Sequence, residues 1–558
     1  MPADPLRPLH RGSVTHLAAT VADGSTVRFL HDRGRQPARV QLPAPVTDPL
    51  SGDVVAAGEA LDLDPWGVLV LQGRAGGEAV PAGDHHQPAT DERNRTMTSR
   101  TRARLRRSAA TALLLGVFPL LAACGQGAGG KADADGGTAA TAKIVSQAEI
   151  DKAMSTPTKL LFWSWTPDIG KQVALFEKAY PNIDVELVVA GQGDAQYTAL
   201  RTALTAGKGV PDVAQIEYQF IPTFTVTKSL LDLRPYGAEK VKDLYVDWTW
   251  SQVSGPNGEV WAYPQDTGPM GMLYRQDIFA KAGIKPPTTW EEFAEAARTL
   301  KKAQPDVFLT NIAPNSPGAY TGLLWQSGAE PFTAVKDGKI GIALKDDASK
   351  RVAEYWQGLI KEGVVSTDPD FTDQWYQGLN RGRYATWLTA AWGPAFLAGQ
   401  AADTKGLWRA APLPNWKGEA AVSGNWGGST SAVMATTKNP IAAAKFAEFI
   451  NTDPKASLTL ATEQFTFPAT KGVLENPEWL ARKSDFYGGQ QVNQVFADIS
   501  KTVDTTFVWS PFQDQVFADW NDTVGTTFTE KGDAVAATEA WDKRVRDFAK
   551  VQGFTTSN

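Results

Sequence analysis

The chain has 558 residues, of which 42% are hydrophobic and 21% are charged, so it is long enough for more than one domain with ample buried surface. Its net charge of -6 and its isoelectric point near 5.6 give no broad basic field. Nucleic acids and anionic membrane surfaces are therefore poor partners, and a neutral ligand fits the composition better.

Residues 1–96 are predicted to form a small β-rich fragment. Short apolar stretches bounded by Pro and Gly indicate strands at 29–32, 40–43, 61–63 and 66–71. With the loop at 46–52, this order resembles the C-terminal β-domain of family 42 β-galactosidases, although Trp66 stands where that family has Tyr and the sequence has no catalytic barrel. We expect a neighbouring gene's tail fused in error; an unrelated β-rich extension is the alternative.

Histidine is confined to this first fragment, since all five histidines precede Met97. The rest of the chain therefore excludes Ser-His-Asp and Cys-His catalytic arrangements and His-ligated zinc sites. We expect no catalytic residue, no metal site and no cofactor.

A lipoprotein signal peptide is predicted at 97–123. Five arginines follow Met97 and precede the apolar run Ala109–Ala123, which is too short to span a membrane stably. The run ends in Leu-Ala-Ala-Cys-Gly, which resembles a bacterial lipobox with lipidation at Cys124; a buried helix with a chance cysteine is the alternative. Because a signal peptide acts near a nascent N-terminus, Met97 is the predicted start, and 124–157 is the predicted flexible tether.

The body of the protein begins with alternating strands and helices. The apolar run Leu160–Trp165 predicts a strand that is covered on both faces. Helical spacing of apolar residues at 173–180 and 197–204 alternates with strands at 183–187 and 212–217. This order indicates βαβ units on a mostly parallel sheet.

A second, helical domain is predicted to begin near residue 288. Thr288 to Glu291 is a candidate capping box, and Trp290, Phe293, Ala297 and Leu300 form an apolar stripe behind it. Trp290 is therefore expected in the core, as are Trp356 and Trp541.

Five stretches of the body together resemble family 1 extracellular solute-binding proteins of ABC sugar importers. They are 176–183, 207–213, 264–270, 281–284 with 287–290, and 425–429. They occur in the family's order, and the match runs from about Lys159 to Phe548. The resemblance implies a type II, maltose-binding-protein-like α/β fold of two lobes, with lobe 1 at 158–267 and 426–469 and lobe 2 at 268–425 and 470–558.

The resemblance also implies a function and partners. A sugar or oligosaccharide would bind in the cleft between the lobes, near the carboxyl ends of strands, and be presented to the transmembrane permease subunits. The β-galactosidase-like fragment places galactosides first among the ligands. With Cys124 lipidated, the protein would be anchored on the extracellular face of the cytoplasmic membrane of a bacterium.

Tryptophan is abundant in the body, since all of the 19 tryptophans except Trp66 follow Met97. A pyranose ring presents an apolar face of C–H groups that a flat aromatic side chain can cover. The candidates for this role follow strands or lie in glycine-flanked loops: Trp163, Trp165, Trp325, Trp392 and Trp426. Burial in the core is the alternative for each of them. Trp387 is as much a candidate for the cleft as Trp392.

The hydroxyl groups of a sugar require hydrogen-bonding partners. Glu217 ends a predicted strand and Asp266 lies at the predicted hinge, where each carboxylate could accept sugar hydroxyls. A capping or hinge-bracing role is the alternative for both. Gln192 offers an amide on a loop, and Gly427 and Gly428 would let backbone N–H groups approach the ligand.

Two other functions remain open at this point. A glycoside hydrolase needs two carboxylates at a set separation, and the 61 acidic residues offer many accidental pairs. A surface glycan-binding sensor could share the same fold, since a fold alone does not fix a function.

Overall fold

The computed structural model describes residues 144–464 and 466–557, together with the backbone of eight strands between residues 7 and 73. Two compact units make up the chain, Met1–Gly129 and Gly130–Asn558. The predicted signal peptide at 97–123 and Cys124 lie outside the described residues, and their assignment stays a prediction.

The first unit contains two antiparallel sheets. Its strands are β1 Arg7–Pro8, β2 Val14–Thr20, β3 Thr26–Asp32, β4 Ala38–Gln41, β5 Val46–Thr47, β6 Val54–Val55, β7 Ala60–Leu63 and β8 Val68–Gly73. They pair in the orders β1-β4-β7 and β2-β3-β8-β5-β6. The four strands predicted from the sequence correspond to β3, β4, β7 and β8.

The second unit contains ten strands and nineteen α-helices in its described residues. The strands are β9 Thr158–Trp163, β10 Ile183–Val188, β11 Val213–Glu217, β12 Ala262–Pro264, β13 Met270–Arg275, β14 Lys339–Gly341, β15 Thr386–Ala390, β16 Trp408–Pro412, β17 Ser429–Val433 and β18 Thr555–Ser557. The helices are α1 Gln147–Ser155, α2 Gly170–Ala179, α3 Asp194–Ala206, α4 Ile221–Val226, α5 Asp247–Val253, α6 Gln276–Ala282, α7 Trp290–Ala303, α8 Pro317–Gln326, α9 Asp347–Glu362, α10 Asp373–Arg381, α11 Gly393–Gln400, α12 Pro440–Thr452, α13 Pro454–Glu463, α14 Lys471–Leu474, α15 Pro477–Leu480, α16 Val492–Ser500, α17 Gln513–Trp520, α18 Thr526–Glu530 and α19 Ala534–Val551. None of these helices combines the length and the apolarity needed to cross a membrane.

We call the first lobe the part that packs around the sheet β10-β9-β11-β17-β12. Strand β9 pairs in parallel with β10 and β11, as the predicted alternation requires. Phe162, Phe176 and Phe446 pack edge to face beside this sheet, with ring centroids 5.0–5.1 Å apart. Because β9 and β11 run in the same direction, the residues that follow them meet at one edge of the sheet.

We call the second lobe the part that packs around the antiparallel sheet β15-β13-β16. Helix α7 begins with a capping box, in which Thr289 accepts from the backbone N–H of Glu292 and Glu292 accepts from that of Thr289. The box lies one residue later than predicted, because Thr289 has the extended backbone that an N-cap requires. Trp290 is buried with the rest of the predicted stripe, and Trp356 and Trp541 are buried as predicted.

The chain passes between the lobes more than once. Gly268 follows the first passage, and residues 424–428 make the return to β17. A third segment, 503–509, places Val503, Phe507 and Trp509 in the hydrophobic core of the first lobe. The sequence predicts these residues in the second lobe. They lie in the first lobe instead, because its core buries their apolar side chains.

The predicted tether at 124–157 is wrong over its last part. Residues 147–155 form helix α1, which starts with a capping box between Ser146 and Glu149. Met154 is buried in the first-lobe core and Ile150 packs against it. The capping residues and the two apolar side chains together stabilise a helix where composition alone suggested a flexible segment.

Candidate functional site

The turn after β9 is held by a buried glutamine on β11. The Oε1 atom of Gln215 accepts hydrogen bonds from the hydroxyl of Ser164, from the backbone N–H of Trp165 and from the backbone and hydroxyl of Thr166, at 2.6–3.1 Å. Its Nε2 donates to the hydroxyl of Ser429 at 2.9 Å. Gln215 therefore fixes the backbone that carries Trp165 and connects it to the start of β17.

Trp165 and Glu217 meet at the edge of the first-lobe sheet through Tyr197. The Trp165 indole packs edge to face on the Tyr197 ring, with centroids 5.9 Å apart. The Tyr197 hydroxyl lies 3.0 Å from Oε2 of Glu217 and accepts the backbone N–H of the same residue. Both Trp165 and Glu217 are half-buried, so each keeps part of its surface for a ligand.

Asp266 lies where the chain leaves the first lobe, beside the start of β17. Its Oδ1 accepts the backbone N–H of Ser429 at 2.7 Å, and its carbonyl accepts the hydroxyl of Tyr218 at 3.1 Å. Gly428 has a φ of 94°, and a Cβ at this position would lie 2.8 Å from the Tyr218 ring. A glycine is therefore required here, both for the backbone conformation and for the close approach.

The carboxyl groups of Glu217 and Asp266 have shifted acidities. Burial raises the pKa of Glu217 to about 7, against the opposing hydrogen bond from Tyr197. Burial also raises the pKa of Asp266 to about 7, and the charge of Glu217 adds to the effect. Burial therefore disfavours the charged form of both carboxyl groups.

Trp426 and Trp392 lie together on the return passage between the lobes. The backbone N–H of Trp426 donates to the carbonyl of Gly268 at 2.8 Å, and the carbonyl of Trp426 accepts from Nε1 of Trp392 at 2.9 Å. The two indole rings pack edge to face at 4.8 Å. A Cβ at Gly268 would collide with the carbonyl oxygen of Trp426, so only glycine allows this close passage of the two segments.

The same passage is braced by Asn425. Its Oδ1 accepts the backbone N–H of Gly268 and its Nδ2 donates to the carbonyl of Gly427, both at 2.8 Å. Gly427 has a φ of 77°, and its Cβ position lies 3.4 Å from Nε1 of Trp392. The structure thus brings Asp266, Gly427, Gly428, Trp392 and Trp426 together around the passages between the lobes.

Trp325 had been predicted to face the ligand, and the structure contradicts this. Its indole is 1% exposed and stacks on Phe507 with centroids 4.4 Å apart, while Trp248 packs against its edge. Its Nε1 donates to the carbonyl of Asp504 at 3.0 Å. Residues of the first-lobe core cover this side chain, so it has no free surface for a sugar.

Trp163 and Gln192 are not joined to the other candidates by a hydrogen bond or ring contact among the described residues. Trp163 is half-buried at the end of β9 and packs against the first-lobe core. Gln192 is exposed between Gly191 and Gly193, which both have positive φ. Their roles stay predictions.

Sequence reasoning missed Gln215, Tyr197 and Phe371. Phe371 is 40% exposed, and its ring centroid lies 6.0 Å from that of Trp426 and 6.2 Å from that of Trp392. The Pro-Asp-Phe-Thr sequence before α10 predicts a turn, but nothing in it predicts the tryptophans that the ring meets.

The arrangement combines aromatic faces on the second lobe with partly buried hydrogen-bonding groups on the first. Aromatic faces cover the C–H surface of a sugar ring, and carboxylates accept its hydroxyls. Across residues 144–464 and 466–557, no group of three or more His, Cys, Asp and Glu side chains could hold a metal ion. The chemistry of the group suits reversible capture of a neutral polyol.

Solved structures of binding proteins share this fold. The ABC transporter associated binding protein from B. animalis subsp. lactis Bl-04, in complex with β-1,6-galactobiose, is 31% identical; the alignment covers 72% of this chain and 99% of that one, with a TM-score of 0.63. The galacto-N-biose/lacto-N-biose I-binding protein from Bifidobacterium longum, in complex with lacto-N-biose, is 26% identical, with 72% and 98% covered and the same TM-score of 0.63. These similarities confirm the predicted two-lobed, type II fold.

Sequence comparison leads to the same group of proteins. The arabinooligosaccharide-binding protein of Bacillus subtilis is 25% identical over 382 residues, which is 65% of this chain and 86% of that protein. The family model described as bacterial extracellular solute-binding protein matches residues 164–456, more than half of the chain. The chain therefore belongs to the family of bacterial extracellular solute-binding proteins.

Proposed function

We propose that this chain is the carbohydrate-binding component of an ABC importer, and that it captures a mono- or oligosaccharide without altering it. The lobes would close around the sugar, a hinge motion that binding proteins of this kind use. The closed form would then be presented to the transmembrane permease subunits. Galactosides are the first ligands to test.

The observation that carries the proposal is the set of groups at the passages between the lobes. Glu217 and Asp266 provide carboxylates that can accept two sugar hydroxyls, and charge-assisted hydrogen bonds of this kind contribute about 1.5–3 kcal/mol each when desolvated. Trp392 and Trp426 supply the aromatic faces, with Trp165 on the first lobe. Gly427 is half-buried and would offer its backbone N–H to the ligand, whereas Gly428 is buried and serves the close passage of the chain.

The named ligands of the similar proteins support a galactoside or another short glycan. β-1,6-Galactobiose and lacto-N-biose are bound by the two solved structures described above, and a lactose-binding protein of Rhizobium radiobacter is 25% identical over 366 residues. The resemblance of residues 1–96 to a β-galactosidase domain agrees with this choice. The proposed location is the extracellular face of the cytoplasmic membrane, with a lipid anchor at Cys124.

The site assignment is tested by calorimetry on the full chain with lactose and β-1,6-galactobiose, after a thermal-shift screen of mono- and oligosaccharides. We expect Asp266→Ala and Trp426→Ala each to weaken binding at least tenfold, because each removes a direct contact. Circular dichroism should show that both variants stay folded. Unchanged affinity in both variants would discard this set of contacts.

A glycoside hydrolase is the rival function, and the raised pKa values of Glu217 and Asp266 are the observation that favours it. Hydrolases of this kind need one protonated and one ionised carboxyl group near the scissile bond. Incubation of the protein with aryl galactosides separates the two functions. Saturable binding without product supports the importer component, and turnover that is lost in Glu217→Gln supports the hydrolase.

A further inference from the structure

A cavity of about 230 Å³ lies where helices α11, α13, α15 and α16 meet. Its walls include three aromatic residues that are only 2–4% exposed, Phe467, Trp479 and Tyr487. The residues proposed to contact the sugar are not among those that line it. Because an apolar cavity of about 150 Å³ holds benzene, this one has room for a single six-membered ring with a substituent.

Two positive charges lie at this cavity. Arg482 and Lys483 follow α15, line the cavity and are exposed, and neither forms an ion pair within the part of the chain that the structure describes. Their acidic neighbours along the chain pair elsewhere, Glu463 with Lys171 at 2.8 Å and Asp485 with Lys405 at 3.3 Å.

The lining of the cavity contains no carboxylate to balance these charges. An anion that approaches the cavity therefore meets a local positive potential, although the net charge of the whole chain is -6. An uncharged molecule of the same size would gain nothing from this potential. The local charge thus favours an acidic ligand over a neutral one.

A buried hydroxyl group at the cavity lacks a partner. Thr466 lines the cavity, and its Oγ1 atom is buried with no hydrogen-bond partner among the described residues. An unpaired buried polar group destabilises a protein, and such a group in a native structure calls for an explanation. A ligand oxygen that accepts this hydroxyl would supply the missing partner.

Other polar groups of the walls are already paired. The hydroxyl of Tyr487 donates to the carbonyl of Pro394 at 3.0 Å, and Nδ2 of Asn493 donates to the carbonyl of Trp479 at 2.9 Å. These bonds connect the segment after α15 with α11, and α16 with α15. The walls are therefore held together by the protein itself.

We infer that this cavity is a second binding site, which takes a small ring that carries a carboxylate group. The ring would lie against the aromatic wall, and the carboxylate would accept hydrogen bonds from Arg482 and Lys483 at the mouth and from the hydroxyl of Thr466. The site shares no residue with the proposed sugar contacts, so it goes beyond the proposed function and does not depend on it.

The competing explanation is that Arg482 and Lys483 are ordinary solvated charges on a turn. Exposed charges of this kind interact weakly with any anion and do not recognise the body that carries it. Inorganic phosphate would then bind as well as a ring carboxylate. Ligands that differ only in charge, or only in the ring, therefore separate the two explanations.

The test measures the binding of galacturonate, benzoate and inorganic phosphate to the full chain at low salt, by calorimetry and saturation-transfer NMR. Galactose and benzyl alcohol are the uncharged counterparts of the two ring carboxylates. We expect at least one ring carboxylate to bind about tenfold tighter than its uncharged counterpart and than inorganic phosphate, with the difference reduced by added salt. Trp426→Ala should leave this binding unchanged, because Trp426 belongs to the proposed sugar site.

Variants of the lining locate the binding. Arg482→Gln with Lys483→Gln should weaken it at least about threefold. Lys281→Gln with Lys285→Gln is the matched control, because these exposed lysines lie outside the cavity and the change in net charge is the same.

Thr466→Val separates binding from stability. The substitution removes the hydroxyl and keeps the shape of the side chain. Since this hydroxyl is unpartnered in the free protein, the melting temperature should not fall, whereas the affinity for the ring carboxylate should fall by about twofold or more.

Three results would overturn the inference. The first is that neither ring carboxylate binds, or that the uncharged counterparts or inorganic phosphate bind equally well. The second is an equal loss of affinity in both double lysine and arginine variants, which would indicate a general effect of net charge. The third is binding that is lost in Trp426→Ala and kept in the variant of Arg482 and Lys483, which would assign the anion to the proposed sugar site.

Discussion

In the proposed site, the two carboxyl groups at residues 217 and 266 should make sugar binding sensitive to pH. Each has its pKa raised to about 7, chiefly by burial. A sugar hydroxyl that donates to a carboxylate favours the charged form and lowers this pKa, so binding at pH 7 should release protons. We expect affinity to rise between pH 5.5 and 8.5, and calorimetry in buffers of different ionisation enthalpy should detect the release.

The folding stability of the unliganded protein should fall with rising pH, in the opposite direction to the sugar affinity. Because the folded-state pKa of Glu217 and Asp266 exceeds the value near 4 of an unfolded chain, the folded state binds more protons between about pH 4 and pH 7. The stability that these groups contribute is present below pH 4 and is lost as the pH rises through 7. The double variant Glu217→Gln with Asp266→Asn should flatten the pH dependence of the sugar affinity and that of the folding stability. A sugar affinity that falls with rising pH would mean that the protonated carboxyl groups donate hydrogen bonds to the sugar.

At the scale of elements, helix α8 positions the Trp426 indole through a glycine. A Cβ on Gly318 would lie 2.7 Å from Nε1 of Trp426, closer than van der Waals contact permits. Gly318→Ala should therefore displace the indole and weaken sugar binding at least threefold, measured by calorimetry. Because the atoms that this Cβ would meet all belong to the Trp426 side chain and none to the backbone, the fold should survive.

Gly358 in helix α9 provides the matched control for this substitution. A Cβ at Gly358 would meet no atom within 4 Å, so Gly358→Ala should raise the melting temperature and leave sugar affinity unchanged. If both alanine variants bind sugar like the wild type, the indole of Trp426 is not a ligand contact. If both weaken binding equally, the effect arises from helix stability and not from the displaced ring.

The elements that sequence reasoning predicted correctly are those fixed by local patterns. The strand at Leu160–Trp165 depends on an apolar run, and the helix at 173–180 depends on apolar periodicity and on Pro181, which cannot continue a helix. Both elements are present in the first lobe, as β9 and α2. The prediction that Trp325 faces the ligand was wrong because distant parts of the chain form the environment of this side chain. The sequence around it fits the end of a helix near a ligand, but the ring is covered by Phe507, far away along the chain.

Part of the candidate site could be predicted for a similar reason. Glu217 and Asp266 follow strands, and the ends of strands in an α/β sheet are where ligands bind. Gln215 could not be predicted, because an inward-facing glutamine in a strand gives no sign that it holds a turn fifty-one residues away. Phe371 was missed because positive φ is unexpected for phenylalanine, and only contacts between segments produce it.

At the scale of the whole molecule, an ion pair connects helix α3 of the first lobe with helix α17 of the second. Arg201 donates to the carboxylate of Asp514, and both side chains are about two-fifths exposed, at 40% and 41%. On α17 itself, Phe517 packs against the first-lobe core. A bond between side chains of different lobes favours the arrangement in which the lobes are together, so it should slow the release of a captured sugar.

The expected size of this effect follows from the exposure of the pair. Exposed ion pairs contribute about 0.2–1 kcal/mol, which corresponds to a change in affinity of up to about fivefold. Arg201→Met should weaken sugar binding within this range, chiefly through faster dissociation in stopped-flow tryptophan fluorescence. Raising the salt concentration should reduce the difference between the variant and the wild type. The charge-exchanged variant Arg201→Asp with Asp514→Arg should restore part of the affinity.

A second ion pair separates lobe closure from general surface electrostatics. Arg298 and Glu362 are exposed to almost the same extent, at 42% and 39%, but both lie in the second lobe, on α7 and α9. Because this pair does not connect the lobes, Arg298→Met should leave sugar dissociation unchanged. If Arg201→Met and Arg298→Met slow or speed dissociation equally, or if neither has an effect, the bond between α3 and α17 does not contribute to closure, and the hinge and the ligand contacts alone must hold the lobes together.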